Sequence, residues 1–121
     1  MHELSVAQSL ITQLTETVRK EKASRITLVT VSVGALSGID GSALEFAFPL
    51  ATENTPLQNA KLVIENIPAM LTCRKCGAVS GVQDFMMVCG KCSSTDIDIT
   101  SGHELTIKSA ELEFDENSRK E

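Results

Sequence analysis

Hydrophobic residues recur at intervals of three and four between Ser5 and Lys22. Intervals of this kind place apolar side chains along one face of a helix. Positively charged residues come late in the segment, where the helix dipole favours them. The pattern therefore predicts an amphipathic first helix whose apolar positions are Ala7, Leu10, Ile11, Leu14 and Val18.

Three later segments have the pattern of β-strands. They are Arg25 to Val33, Lys61 to Ile67, and Glu104 to Phe114, where the apolar alternation changes phase near Ser109. β-Branched residues and alternation favour strands, and the change of phase predicts a bulge. We expect the first strand to lie centrally and the last strand to return to the sheet that the first two begin.

A loop rich in Gly, Ser and Asp precedes a second apolar segment. Asp40 or Ser42 is a candidate N-cap for a helix over about Ala43 to Thr52. Pro49 falls past the first turn of this helix, where proline costs stability. We therefore expect a kink or an early end of the helix near Phe48.

All four cysteines lie in two Cys-x-x-Cys pairs, Cys73 with Cys76 and Cys89 with Cys92. Each two-residue gap lets a tight turn aim two sulfurs at one point, and residues 77–88 are long enough for a short hairpin. Four thiolates with no open position are typical of a structural zinc site. Two disulfides, a redox-active Cys-x-x-Cys and a rubredoxin-like iron site are the alternatives.

Together these elements predict an α+β fold in two layers. It consists of a small three-stranded sheet with two helices and an inserted zinc-ribbon-like domain. The expected boundaries are residues 1–69 and 103–121 for a discontinuous α/β domain, and residues 70–102 for a zinc-binding domain. The charged segment from Asp115 to Glu121 lacks apolar anchors, and we expect it to fray.

The charge balance limits the classes of partner. The formal net charge is −5, and four thiolates (−4) around one Zn(II) (+2) would bring it to about −7. No basic run interrupts the acidic balance, so nucleic acid is not an expected partner. No segment approaches the roughly 20 apolar residues of a membrane span, and the N-terminus lacks a signal-peptide pattern. We expect a cytoplasmic protein without membrane insertion.

His2 occupies the second position of the chain, where three nitrogens can reach one metal ion. The amine of Met1, the amide nitrogen of His2 and the ring nitrogen Nδ1 of His2 would close two adjoining chelate rings. Nitrogen donors in a plane suit Ni(II) or Cu(II), and their deprotonation makes binding depend on pH. A solvated terminal imidazole is the alternative interpretation of His2.

Four motifs in order carry a resemblance to a known family. They are Met1-His2-Glu3-Leu4-Ser5, Gly34-Ala35-Leu36-Ser37, the two Cys-x-x-Cys pairs, and Gly102-x-Glu104-Leu105-x-Ile107-Lys108-Ser109. Over essentially the whole chain, the sequence resembles the HypA/HybF family of hydrogenase maturation factors. Members of that family are nickel metallochaperones, with a small α/β nickel-binding domain and an inserted zinc domain.

The resemblance implies a role for each candidate ligand. It places Ni(II), as transiently bound cargo, at Met1 and His2 with Glu3 as an additional candidate, and structural Zn(II) at the four cysteines. It further implies nickel insertion into the large subunit of a nickel–iron hydrogenase, together with the GTPase HypB. Urease accessory proteins and a second copy of the chain are further candidate partners.

Other interpretations of the same residues stay open. Glu3 is also favourable simply as a charge at a helix N-terminus, and His103 is expected to be a surface imidazole rather than a ligand. A zinc-ribbon interaction module without nickel delivery would keep the cysteines and not need His2. An enzyme is disfavoured, because four sulfurs leave zinc no site for activated water and no catalytic group of residues stands out.

Overall fold

The protein has two helices and six strands, which are seen in a computed structural model that describes residues 2–115. Within that range, no helix is long and apolar enough to cross a membrane. The elements in chain order are α1 (Glu3–Glu21), β1 (Arg25–Gly34), α2 (Gly41–Ala51), β2 (Lys61–Ile67), β3 (Met70–Cys73), β4 (Val79–Gly81), β5 (Ile97–Ser101) and β6 (Leu105–Glu113).

The strands form two three-stranded sheets. The first has the order β2-β1-β6, with β1 parallel to β2 and antiparallel to β6. The second has the order β4-β3-β5, and both of its pairs are antiparallel. The predicted α+β class, the central position of β1 and the return of β6 to the first sheet are confirmed. The division into two domains, with boundaries at residues 70 and 102, stays a prediction.

The hydrophobic core lies between the two helices and the first sheet. The five apolar positions predicted for α1 are all buried there, and Val29, Val31 and Val33 of β1 meet them. Burial of a Val, Leu or Ile side chain stabilises the fold by about 1.5–3 kcal/mol. Within residues 2–115, no member of this core comes from residues 70–102.

Strand β6 contains the predicted bulge. Ser109 and Ile107 pair with successive residues of β1, which leaves Lys108 as the extra residue. The bulge lets both Ile107 and Ala110 pack against the core, although they are three positions apart. The change of phase in the sequence therefore reflects a real irregularity in the strand.

Helix α2 does not end near Phe48, so the expected early end was wrong, whereas the alternative of a kink stays a prediction. The helix continues through Pro49 to Ala51, and the N–H of Thr52 donates to the carbonyl of Phe48 at 3.1 Å. Pro49 is exposed, whereas Phe48 and Leu44 are buried. Because burial of these large apolar side chains is worth several kcal/mol, it offsets the cost of one proline in the last turns.

The chain just after β6 is held to the first sheet. The N–H of Asp115 donates to Ser24 Oγ at 2.9 Å, and the carboxylate of Asp115 lies 3.8 Å from the guanidinium of Arg25. The predicted fraying therefore does not apply to Asp115. Residues 116–121, for which the same prediction was made, lie outside the described residues.

Candidate metal centres

The four cysteine sulfurs form one cluster. The Sγ atoms of Cys73 and Cys92 are 3.6 Å apart, as are those of Cys76 and Cys89, and all four ligand atoms lie within 4.8 Å of one another. A tetrahedral zinc ion with Zn–S bonds of about 2.3 Å needs sulfurs roughly 3.8 Å apart. No disulfide joins the four cysteines. The cluster therefore has the size and donor set for one metal ion.

Backbone N–H groups organise the first cysteine of each pair. In the first turn, the N–H groups of Lys75 and Cys76 both donate to Cys73 Sγ at 3.4 Å. The second turn repeats the pattern at Cys89, with distances of 3.3 and 3.4 Å. Cys73 and Cys89 are buried, whereas the second cysteine of each pair is exposed. Such N–H donors stabilise a negatively charged sulfur.

These contacts change the acidity of the thiols. The N–H of Cys92 is the main reason that the pKa of Cys89 falls to about 6, and the N–H of Cys76 likewise lowers the pKa of Cys73. The Ser94 N–H lowers the pKa of Cys92, but the neighbouring thiols, Cys73 first among them, and burial together outweigh it and raise that pKa to about 11. A cation among the sulfurs would favour the ionised form of Cys92 as well as that of Cys89.

His2 lies at the N-cap of α1, with its side chain exposed. Its carbonyl accepts a hydrogen bond from the N–H of Val6 at 2.9 Å, and this is the first hydrogen bond of the helix. Within residues 2–115, the N–H of His2 itself has no hydrogen-bond acceptor. Met1, the other residue of the predicted nickel chelate, lies outside the described residues.

Glu3 joins the starts of the two helices. Its side chain is buried, and Oε2 accepts a hydrogen bond from the N–H of Asp40, the N-cap of α2, at 3.2 Å. Sequence reasoning treated Glu3 as a ligand or a helix charge and missed this contact. The two partners are 37 positions apart, and no local pattern in the sequence marks their approach.

The structure brings some of the predicted ligands together and not others. In the chain from His2 to Asp115, the cysteine cluster is the only group of three or more His, Cys, Asp or Glu side chains close enough to share an ion. His103 belongs to no such group. It is exposed, as expected, and lies at a shallow pocket that Thr100 and Glu104 also line.

Comparison with known proteins identifies the family. A family model described as "Hydrogenase/urease nickel incorporation, metallochaperone, hypA" matches residues 1–112. The chain belongs to the HypA family. The hydrogenase maturation factors HypA of Chlorobaculum parvum and Aquifex aeolicus are each 38% identical to it. These matches cover 93% and 95% of this chain and 100% of each relative.

Solved structures agree with this membership. The solution structure of the Ni metallochaperone HypA from Helicobacter pylori is 33% identical, with a TM-score of 0.67, over 95% of this chain and 100% of that chain. A second HypA solution structure is 35% identical with a TM-score of 0.68. The family and fold predicted from the motifs are confirmed, while the individual metal ligands stay predictions.

Proposed function

We propose that this HypA-family chain is a nickel metallochaperone that binds Ni(II) at its N-terminus and delivers it during maturation of a nickel–iron hydrogenase. The observation that carries this proposal is the match of a nickel-metallochaperone family model to a span that includes His2 and all four cysteines. The chain acts as a carrier rather than an enzyme. Its proposed partners are the GTPase HypB and the hydrogenase large subunit, in the cytoplasm.

The proposed nickel ligands are the amine of Met1 together with the amide nitrogen and the ring Nδ1 of His2. The first N–H groups of a helix lack intrahelical acceptors, so deprotonation of the His2 amide breaks no helix bond. Nitrogen donors in a plane suit Ni(II). Glu3 is a proposed additional ligand, and nickel would have to compete with the bond that Glu3 accepts from Asp40.

A nickel carrier must both hold its cargo and release it. The exposed side chain of His2 leaves the ion accessible to the ligands of a second protein. Donors at a chain end can be replaced one at a time, so transfer need not pass through free aqueous nickel. Copper binds such donors more tightly than nickel, and selectivity therefore comes from metal availability and from docking.

The four cysteines are proposed to hold one structural Zn(II). The sulfur cluster fits a tetrahedral ion, and four thiolates leave no open position for water. Zinc would therefore cross-link the two cysteine turns rather than take part in catalysis. The purified protein should be colourless, since a ferric tetrathiolate absorbs visible light, and metal analysis should find zinc.

Calorimetric nickel titration of zinc-loaded protein that begins at Met1 tests the nickel site. The variants are His2→Ala, a chain with one residue added before Met1, and His103→Ala as the matched control. Removal of groups that merely orient metal ligands costs about 10–100-fold in affinity, so loss of a direct donor should cost more than about 100-fold. The two N-terminal variants should lose tight nickel binding, and the His103 variant should retain it.

Equal nickel binding by wild type and the variants would contradict the N-terminal nickel site. If wild type and all three variants bind nickel alike, the N-terminus is not the nickel site. The cysteine lobe would then be better explained as an interaction module without nickel delivery. Zinc content, measured on the same samples, separates loss of nickel binding from general damage to the protein.

A further inference from the structure

Arg74 lies between the two cysteines of the first turn and contacts the chain beyond the second turn. Its Nε donates to Asp98 Oδ2 at 3.0 Å, its Nη1 donates to Asp96 Oδ1 at 2.8 Å, and its Nη2 also pairs with Asp98. In the main chain, the N–H of Arg74 donates to the carbonyl of Asp96 at 2.9 Å. We call the Arg74, Asp96 and Asp98 side chains the arginine clasp.

The chain segment that contains Asp96 and Asp98 is also connected to the second cysteine turn by hydrogen bonds. The N–H of Cys89 donates to the carbonyl of Ser94 at 2.9 Å, and the N–H of Asp96 donates to Ser94 Oγ at 3.1 Å. Asp98 lies in β5, where it is opposite Thr72 of β3. A continuous set of hydrogen bonds thus connects the first turn to the second without using a cysteine sulfur.

Apolar packing contributes little to the relative position of the two turns. From Met70 to Ser101, the fully buried hydrophobic side chains are Leu71 and the two cysteines Cys73 and Cys89. So few buried groups cannot hold the lobe by hydrophobic burial alone. The metal and the polar contacts must therefore determine how the turns face each other.

The charges of the clasp complement one another. Hydrogen bonds from the Arg74 guanidinium lower the pKa of Asp98, so the carboxylate stays ionised at neutral pH. A planar guanidinium that donates two bonds to one carboxylate and a third to another has the geometry in which even exposed ion pairs contribute measurably.

We propose that Arg74 is a positioning residue for the four-cysteine site, holding the two turns together and slowing release of the metal. This inference rests on the zinc site of the proposed function. A zinc ion held by the four cysteines would leave as water or a competing ligand takes the place of each thiolate in turn, with protons taken up by the freed sulfurs. Once the first thiolate is lost, the turns must separate to free the ion, and the clasp opposes that separation.

Zinc transfer from the loaded full-length chain to the chromogenic chelator 4-(2-pyridylazo)resorcinol measures this effect. Arg74→Gln should release zinc about threefold to tenfold faster than wild type, as expected for the loss of two well-formed ion pairs. Arg25→Gln is the matched control. It removes a comparable surface pair, Arg25 with Glu113 at 3.1 Å, from the first sheet, and its zinc should leave at the wild-type rate.

Three further measurements separate a clasp from a general effect on stability. Arg74→Lys keeps the charge but not the planar fork, so its rate should be intermediate. Asp98→Asn should also speed release, and adding Arg74→Gln to it should give less than the product of the two single effects. High salt should reduce the difference between Arg74→Gln and wild type, because salt screens exposed charges.

The inference would be overturned if Arg74→Gln released zinc at the wild-type rate. It would also be overturned if Arg25→Gln released zinc as fast as Arg74→Gln does, or if the effects of the Arg74 and Asp98 substitutions were fully independent. Failure of the underlying zinc site would look different. In that case wild type itself would contain no zinc to transfer.

Discussion

At the residue scale, two glycines form the junction between the sheets. A Cβ on Gly34 would lie 2.0 Å from the carbonyl oxygen of Gly102, and Gly102 has a φ of +119°. The N–H of Gly34 donates to the carbonyl of Glu104 at 2.7 Å, and the N–H of Leu36 donates to that of Gly102 at 2.6 Å. The two motifs that begin at Gly34 and Gly102 therefore contact each other, with no space between their backbones for a side chain.

Replacement of Gly34 by alanine should destabilise the fold strongly. The new methyl group overlaps backbone atoms that cannot turn away, so we expect a loss of about 2–3 kcal/mol or more in the free energy of unfolding. Gly81→Ala is the control, because a Cβ there would first meet Met70 Sδ at 3.9 Å, and it should change stability by less than about 0.5 kcal/mol. Urea denaturation compares the two. If both variants lost the same free energy of unfolding, the close approach of the Gly102 carbonyl to Gly34 would not be what excludes a side chain at that position.

At the scale of elements, α2 depends on its N-cap as well as on its buried face. Asp40 Oδ1 accepts hydrogen bonds from the N–H groups of Ser42 at 2.9 Å and Ala43 at 3.4 Å. The backbone N–H of Asp40 meanwhile binds Glu3 at the start of α1. The cap thus begins α2 at the point where it meets the first helix.

Asp40→Ala should cost about 1 kcal/mol of stability, because it removes the acceptor for the first N–H groups of α2. Asp40→Asn keeps an acceptor oxygen, and asparagine is as good an N-cap as aspartate, so that variant should unfold close to wild type. Both variants keep the backbone bond to Glu3. If thermal unfolding finds both equally damaged, the charge of Asp40 matters and its capping bonds do not.

At the scale of the whole molecule, the two sheets rely on different sources of stability. Within the described residues, the hydrophobic core is built from the helices, the first sheet and Leu57, and it includes nothing from residues 70–102. The second sheet has little buried apolar surface of its own, and its strand β3 ends at Cys73 of the cysteine cluster. Metal loss should therefore affect the two parts of the chain unequally.

Removal of the proposed zinc by a strong chelator under reducing conditions should unfold the second sheet and spare the first. Metal binding supplies folding free energy to small lobes of this kind, whereas the first sheet keeps its own core. Amide hydrogen exchange should show loss of protection in β3, β4 and β5, with α1 and β1 still protected. Loss of protection throughout the chain would mean instead that the Gly34–Gly102 junction couples the two parts into one cooperative unit.

Local patterns were sufficient to predict much of this protein. The spacing of Leu10, Leu14 and Val18 predicted α1 because a helix repeats every 3.6 residues, and the phase change near Ser109 predicted the bulge in β6. The spacing of the cysteines predicted their cluster, since each pair of sulfurs is brought together by a single short turn. These features depend on residues that are close together in the chain.

Only the tertiary structure decided the remaining features, because they depend on residues far apart in the chain. Taken alone, Pro49 favoured an early end of α2, but burial of Phe48 in the core offset the loss of helix stability that the proline causes. Glu3 contacts Asp40, and Arg74 contacts Asp98. The partners of each pair are far apart in the sequence, and the periodicity of hydrophobic residues does not predict such contacts. The sequence alone thus predicted the two helices, the three strands of the first sheet, the cysteine cluster and the family, whereas the tertiary structure decided the end of α2, the strands of the second sheet and the polar contacts around both candidate metal sites.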